Sequence, residues 1–90
     1  MSLPAALTTI ESEAFAQDES IRFVNLNSNT QYIGPFAFDE SGLIQIVVPS
    51  ADTSIAFSAF SDIQPTILCP EGSLAAIMAA RYGYRYLYIP

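Results

Sequence analysis

The sequence predicts a mostly β domain: a small antiparallel β-sandwich or barrel with one C-terminal helix and an N-terminal arm. Three observations carry this. Runs of β-branched and aromatic residues recur between residues 21 and 69, separated by turns containing Asn, Asp, Gly and Pro. One alanine-rich stretch, residues 73–82, follows them. Residues 1–20 fit neither pattern.

In the first twenty residues, Leu3, Leu7, Ile10 and Ala14 recur at helical spacing, and Pro4 suits a first helical turn. Thr8 and Thr9 are weak helix formers, however, and Glu11 and Glu13 would sit at the end that disfavours anions. Residues 1–20 therefore read as an arm or a marginal helix, and residues 21–90 as a single β-rich domain. Ile21 to Leu26 reads as a strand closed by the turn Asn27-Ser28-Asn29. Thr30 to Phe38 continues extended, with Gly34-Pro35 marking a bulge or an edge. Asp39-Glu40-Ser41-Gly42 reads as a hairpin turn leading into Leu43–Val48, whose apolar residues on both faces suit a central strand. Ile55 to Phe60 and Thr66 to Cys69 are further strands. Ser73 can cap a helix over 73–82 and Gly83 can end it. Leu74, Ile77, Met78 and Arg81 share one face of that helix, and the other face is mostly alanine. A strand over 84–89 then sets Tyr84, Tyr86 and Tyr88 against Arg85, Leu87 and Ile89. Which of these two faces is buried stays open. No internal repeat stands out by inspection.

Composition narrows the function classes. Of 90 residues, 51% are hydrophobic but only 13% are charged, where about 25% is usual. There is no His and no Lys, and the net charge is −6. Histidine-based catalysis and metal ligation are excluded, and Cys69 alone makes neither a disulfide nor a thiolate zinc cluster. It reads as a buried structural thiol. A phosphate backbone needs clustered cations, which argues against nucleic acid. The acidic pairs Asp18-Glu19 and Asp39-Glu40 read as solvated turn residues, because neighbours on a strand point to opposite faces. No cofactor is implied, and the chain reads as non-enzymatic. The early acids and the lack of a long apolar run argue against a signal peptide, a membrane span or a membrane partner. Synthesis in the cytoplasm is expected.

Charge and aromatics are unevenly placed. Residues 1–71 carry nine acids and one Arg, and residues 72–90 carry two Arg and no acid. Four of the five tyrosines occupy the last nine residues. Tyr and Arg are favoured at protein interfaces, where Lys, Glu and Asp are depleted. The expected interface residues are Leu3, Leu7, Ile10 and Phe15 of the arm with Arg81, Tyr82, Tyr84, Arg85, Tyr86 and Tyr88. These features point to a structural protein acting through protein–protein contacts, with itself as a homo-oligomer (a trimer is expected) and with a larger capsid-like lattice. In general character the chain is similar to accessory virion proteins, such as the capsid cement or decoration subunits of tailed phages, which would place it in the virion. No motif carries that likeness. The alternative is a small acidic binding module or inhibitor docking on a basic protein.

Overall fold

The structure is a computed structural model that describes residues 8–61 and 63–89. Its seven short strands are β1 (Thr9–Ile10), β2 (Phe23–Asn25), β3 (Tyr32–Ile33), β4 (Gln45–Val47), β5 (Ser54–Ile55), β6 (Thr66–Cys69) and β7 (Tyr86–Tyr88). One helix, α1 (Leu74–Tyr82), precedes β7. The strands form two sheets, one ordered β1-β3-β5 and the other β2-β4-β6-β7. Every pairing is parallel.

The antiparallel sandwich or barrel expected from the sequence is therefore wrong. From β1 to β6 successive strands do not pair but alternate between two sheets; β6 and β7 do pair, with α1 between them in the chain. The Asp39–Gly42 turn is not a hairpin but part of the corner that carries the chain from β3 in one sheet to β4 in the other. A parallel neighbour is reached only after a full circuit. The register pairs Thr9 with Tyr32, Tyr32 with Ser54, Phe23 with Gln45, and Gln45 with Thr66. The chain is thus a stack of coils, a solenoid in which each turn contacts mainly its neighbours.

The stack does rest on a repeat, contrary to the reading by inspection. Ile-x-x-x-Ala-Phe occurs at Ile10–Phe15, at Ile33–Phe38 and at Ile55–Phe60. The isoleucines lie on equivalent inward positions of β1, β3 and β5 and are buried, as are Ala37 and Ala59. The phenylalanines form a spine: Phe15 stacks on Phe38 with centroids 5.3 Å apart, and Phe38 on Phe60 at 5.8 Å. Tyr84 ends it, edge-on to Phe60 at 5.6 Å. The turns are bonded from coil to coil as well. The Phe15 N–H donates to the Ala37 carbonyl (2.7 Å) and the Phe38 N–H to the Ala59 carbonyl (2.9 Å). On the other sheet Val24, Ile46 and Ile67 form an inward column. Burial of each such side chain contributes roughly 1.5–3 kcal/mol.

Residues 8–20, read from sequence as part of an arm, form the first coil of the same stack: β1 pairs with β3, and Ile10 and Phe15 join the core and its spine. The coils approach closely here. A Cβ on Gly42 would lie 2.5 Å from the Glu19 carbonyl oxygen, so this position accepts only glycine without displacement. In the fourth coil α1 replaces the strand that would have extended β1-β3-β5, and it packs on β5, β6 and β7.

Candidate functional site

The fourth coil gathers the exposed apolar surface. Helix α1 is fixed at both ends. The Ser73 hydroxyl accepts from the Ala76 N–H (3.1 Å), and Gly83 takes the left-handed conformation (φ 78) with its N–H on the Ala79 carbonyl. The face turned inward is Ala75, Ala76, Met78 and Ala79. Small side chains let the helix lie close on the third coil, and this leaves Leu74, Ile77 and Arg81 outside. Phe57 projects from the turn after β5 beside the helix and is 69% exposed, while Ile77 is 56% exposed. The Phe57 ring lies 6.1 Å from that of Tyr82.

Between these groups runs a groove of about 270 Å³ lined by Ile55, Phe57, Leu74, Ile77, Met78 and Tyr82, with Arg81 and Ser54 at its polar side. Around the C-terminal end of the helix a second hollow, about 480 Å³, is lined by Gln64, Thr66, Gly83, Tyr84 and Arg85. Among the described residues each hollow is lined by one arginine and no carboxylate.

The interface residues expected from sequence are divided by the structure. Leu3 and Leu7 lie outside the described residues. Ile10 is buried, and half-buried Phe15 is stacked in the spine, so both are engaged by the chain's own core. Arg81, Tyr82, Arg85 and Tyr88 are exposed on the fourth coil. Tyr84 and Tyr86 are half-buried against the core, whereas Leu87 is exposed. Tyr84 and Tyr86 thus lie on the inward side of the last strand, while Tyr88 of the same face is exposed. Burial pushes the Tyr84 phenol above its ordinary pKa. Burial likewise raises the Cys69 thiol, opposed in part by a hydrogen bond with Ser73. Cys69 is a buried free thiol. Sequence reading missed Phe57, Leu74 and Ile77 as surface groups. The repeat could have found Phe57, since it stands two positions after the Ile of its coil, where Ser12 and Pro35 stand in the others.

Among the described residues no cluster of His, Cys, Asp or Glu could hold a metal ion. A hollow of about 380 Å³ where the connecting turns stack is lined by Ser, Thr, Asn and Gln side chains with Asp52, and by no nucleophile–base pair. Among the described residues no helix is long and apolar enough to cross a membrane.

The period, the parallel register and the aromatic spine agree with a comparison against known families. The family model for the BspA type leucine rich repeat region (6 copies) matches residues 1–72. The chain belongs to the BspA type leucine rich repeat family. The family is typically a non-enzymatic protein-interaction module. The match ends at Gly72, one residue before the helix cap, so α1 and β7 of this leucine-rich repeat chain lie beyond the matched residues. Neither a curated protein nor a solved structure gives a match.

Proposed function

We infer that this leucine-rich repeat chain is a non-enzymatic protein-binding module and that its fourth coil is the binding surface. One observation carries the reading. The fourth coil exposes Leu74, Ile77 and Tyr82, and Phe57 of the third coil stands exposed beside them. Contiguous exposed apolar groups with a polar rim mark interaction sites. The groove beside them has Arg81 at its edge, and Tyr and Arg are the residue types that dominate binding hot spots.

The reading as a capsid-decorating subunit drew on an apolar N-terminal arm, a Tyr/Arg C-terminus and a neutral polar surface without Lys, and residues 8–20 of that arm form a coil of the stack instead. That reading gains no support from membership of the repeat family. The test of the broader reading is site-specific photocrosslinking of the full chain in its source cells. A photoreactive side chain at Ile77 should capture protein, and one at exposed Ser28, on the polar turns, should not. A folded chain that captures nothing from position 77 would refute the assignment.

A further inference from the structure

The geometry points to a second copy of this chain as a partner of the fourth coil, bound head to tail through its acidic first coil. This rests on the fourth coil being the binding surface, and it names what covers it.

Charge complementarity carries the inference. The fourth coil presents Arg81 and Arg85 in separate hollows, neither of which is lined by a carboxylate among the described residues. Among the described residues no ion pair occupies either arginine. A cation in a concave, partly apolar site focuses its field outward and attracts carboxylates. The complement stands on the first described coil of the same chain. The first coil exposes Glu11, Glu13 and Glu19, with Asp18 half-buried, against a single Arg22.

Backbone polarity adds a second argument. The Ile67 N–H donates to the Arg85 carbonyl and the Ile89 N–H to the Cys69 carbonyl, so alternate residues of β7 face β6. The main-chain groups of Tyr86 and Tyr88 consequently face the outer edge of the sheet. Leu87 and Tyr88 are 58% and 54% exposed beside that edge. Natural sheets guard such edges with Lys, Pro or bulges. The chain has no Lys, and Tyr86–Tyr88 contains no Pro.

An isologous contact would bring the arginines of two copies together, whereas a head-to-tail contact pairs them with carboxylates. Repetition of a head-to-tail contact gives a ring or an open filament, according to whether the rotation closes.

The experiment is sedimentation velocity of the full chain over a concentration series, at about 0.1 M and about 1 M salt, between which the screening length falls from about 10 Å to about 3 Å. Wild type should form concentration-dependent oligomers that weaken at high salt. Two variants reverse one end each: Arg81→Glu with Arg85→Glu, and Glu11→Lys with Glu13→Lys and Glu19→Lys. All five positions are exposed, and circular dichroism melts establish that both variants fold. Each alone should be monomeric, and a mixture should associate, because each reversed end then meets an opposite charge. A monomeric wild type overturns the proposal. So does an assembly indifferent to either reversal, and so does a pair of monomeric variants that fail to associate on mixing. If wild type is monomeric while position 77 still captures another protein, self-association fails and the protein-binding reading stands.

Discussion

Replacing Phe38 by Ala tests the spine directly. The ring is fully buried between Phe15 and Phe60, with centroids 5.3 and 5.8 Å away. Truncation of a buried Phe typically costs about 3–5 kcal/mol, transfer and residual cavity together. The upper half of that range applies here, because two ring contacts worth about 0.5–1.5 kcal/mol each are lost with it. Whole domains are stable by about 0.05–0.15 kcal/mol per residue, which for 90 residues is roughly 5–14 kcal/mol. Phe38→Ala therefore removes more than about a quarter of the stability, and at about 4–8 °C per kcal/mol lowers Tm by some 15 °C or more. The exposed Phe57→Ala is the matched control and should change stability by under about 0.5 kcal/mol. Urea unfolding followed by far-ultraviolet circular dichroism gives both values. A cost below about 1.5 kcal/mol for Phe38→Ala, or one equal to the control, would refute the continuous spine.

Gly42→Ala should destabilise by about 1–3 kcal/mol in the same assay, because its Cβ would meet the Glu19 carbonyl oxygen at 2.5 Å and force the first two coils apart; an unchanged midpoint would contradict the close approach. Glu13 holds a left-handed φ of 62°, so Glu13→Gly should raise stability by about 0.5–1 kcal/mol, and a loss would show that the side chain matters more than the backbone. Gln17→Glu places a carboxylate beside Glu40, to which the Gln17 amide now donates at 3.4 Å, and should lower stability at low salt but much less at high salt; equal loss at both would exclude charge as the cause. Burial raises both the Cys69 and Tyr84 pKa values, so the unfolded chain releases these protons first. Their contribution is intact below the unfolded values and is lost as pH climbs from the ordinary thiol range, about 8.5, through the phenol range near 10 and past it. Urea midpoints that stay flat across that climb would contradict the burial of both groups.

The helix was the most legible element. Ser73, the alanines and Gly83 act locally, through capping and backbone preference, and local signals survive in any fold. The strand sequences were also visible, because inward residues such as Val24, Ile46 and Ile67 are β-branched. Their partners were not. Alternation specifies which side chains point inward but is the same for a strand paired with its sequence neighbour and one paired a full coil away. Asp39–Gly42 is acceptable chemistry for a hairpin, and only the position of β3 and β4 in separate sheets excludes one. The repeat hid because each coil keeps just Ile, Ala and Phe at fixed spacing, while the fourth coil substitutes a helix for the strand. Among the site residues, Arg81, Tyr82, Arg85 and Tyr88 were found because interface-prone residue types cluster there. Leu74 and Ile77 were missed because an apolar stripe on a helix normally faces its own core. Here the alanine face took that place.

The low charge of the chain follows from the same architecture. Parallel strands in register place equivalent residues about 4.7–4.9 Å apart, so a charge kept at one repeat position becomes a ladder of like charges. Two unit charges at that spacing repel by about 0.9 kcal/mol even at the dielectric of water, and more against a protein surface. Most of the acids avoid this, the repeat-equivalent Glu40 and Asp62 being the exception. Glu11 is followed up the stack by Gly34 and Ala56, Glu13 by Phe36 and Ser58, Glu19 by Gly42, and Glu40 has Gln17 beneath it. A stack therefore tolerates few charges at any one repeat position. In this chain the acids crowd the first coil, and the fourth coil holds two of the three arginines and no acid. The composition that removed nucleic acid and histidine chemistry from consideration is thus what a coil stack tolerates. Its uneven residue of charge leaves the first coil net acidic and the fourth net basic, the asymmetry on which the proposed head-to-tail association depends.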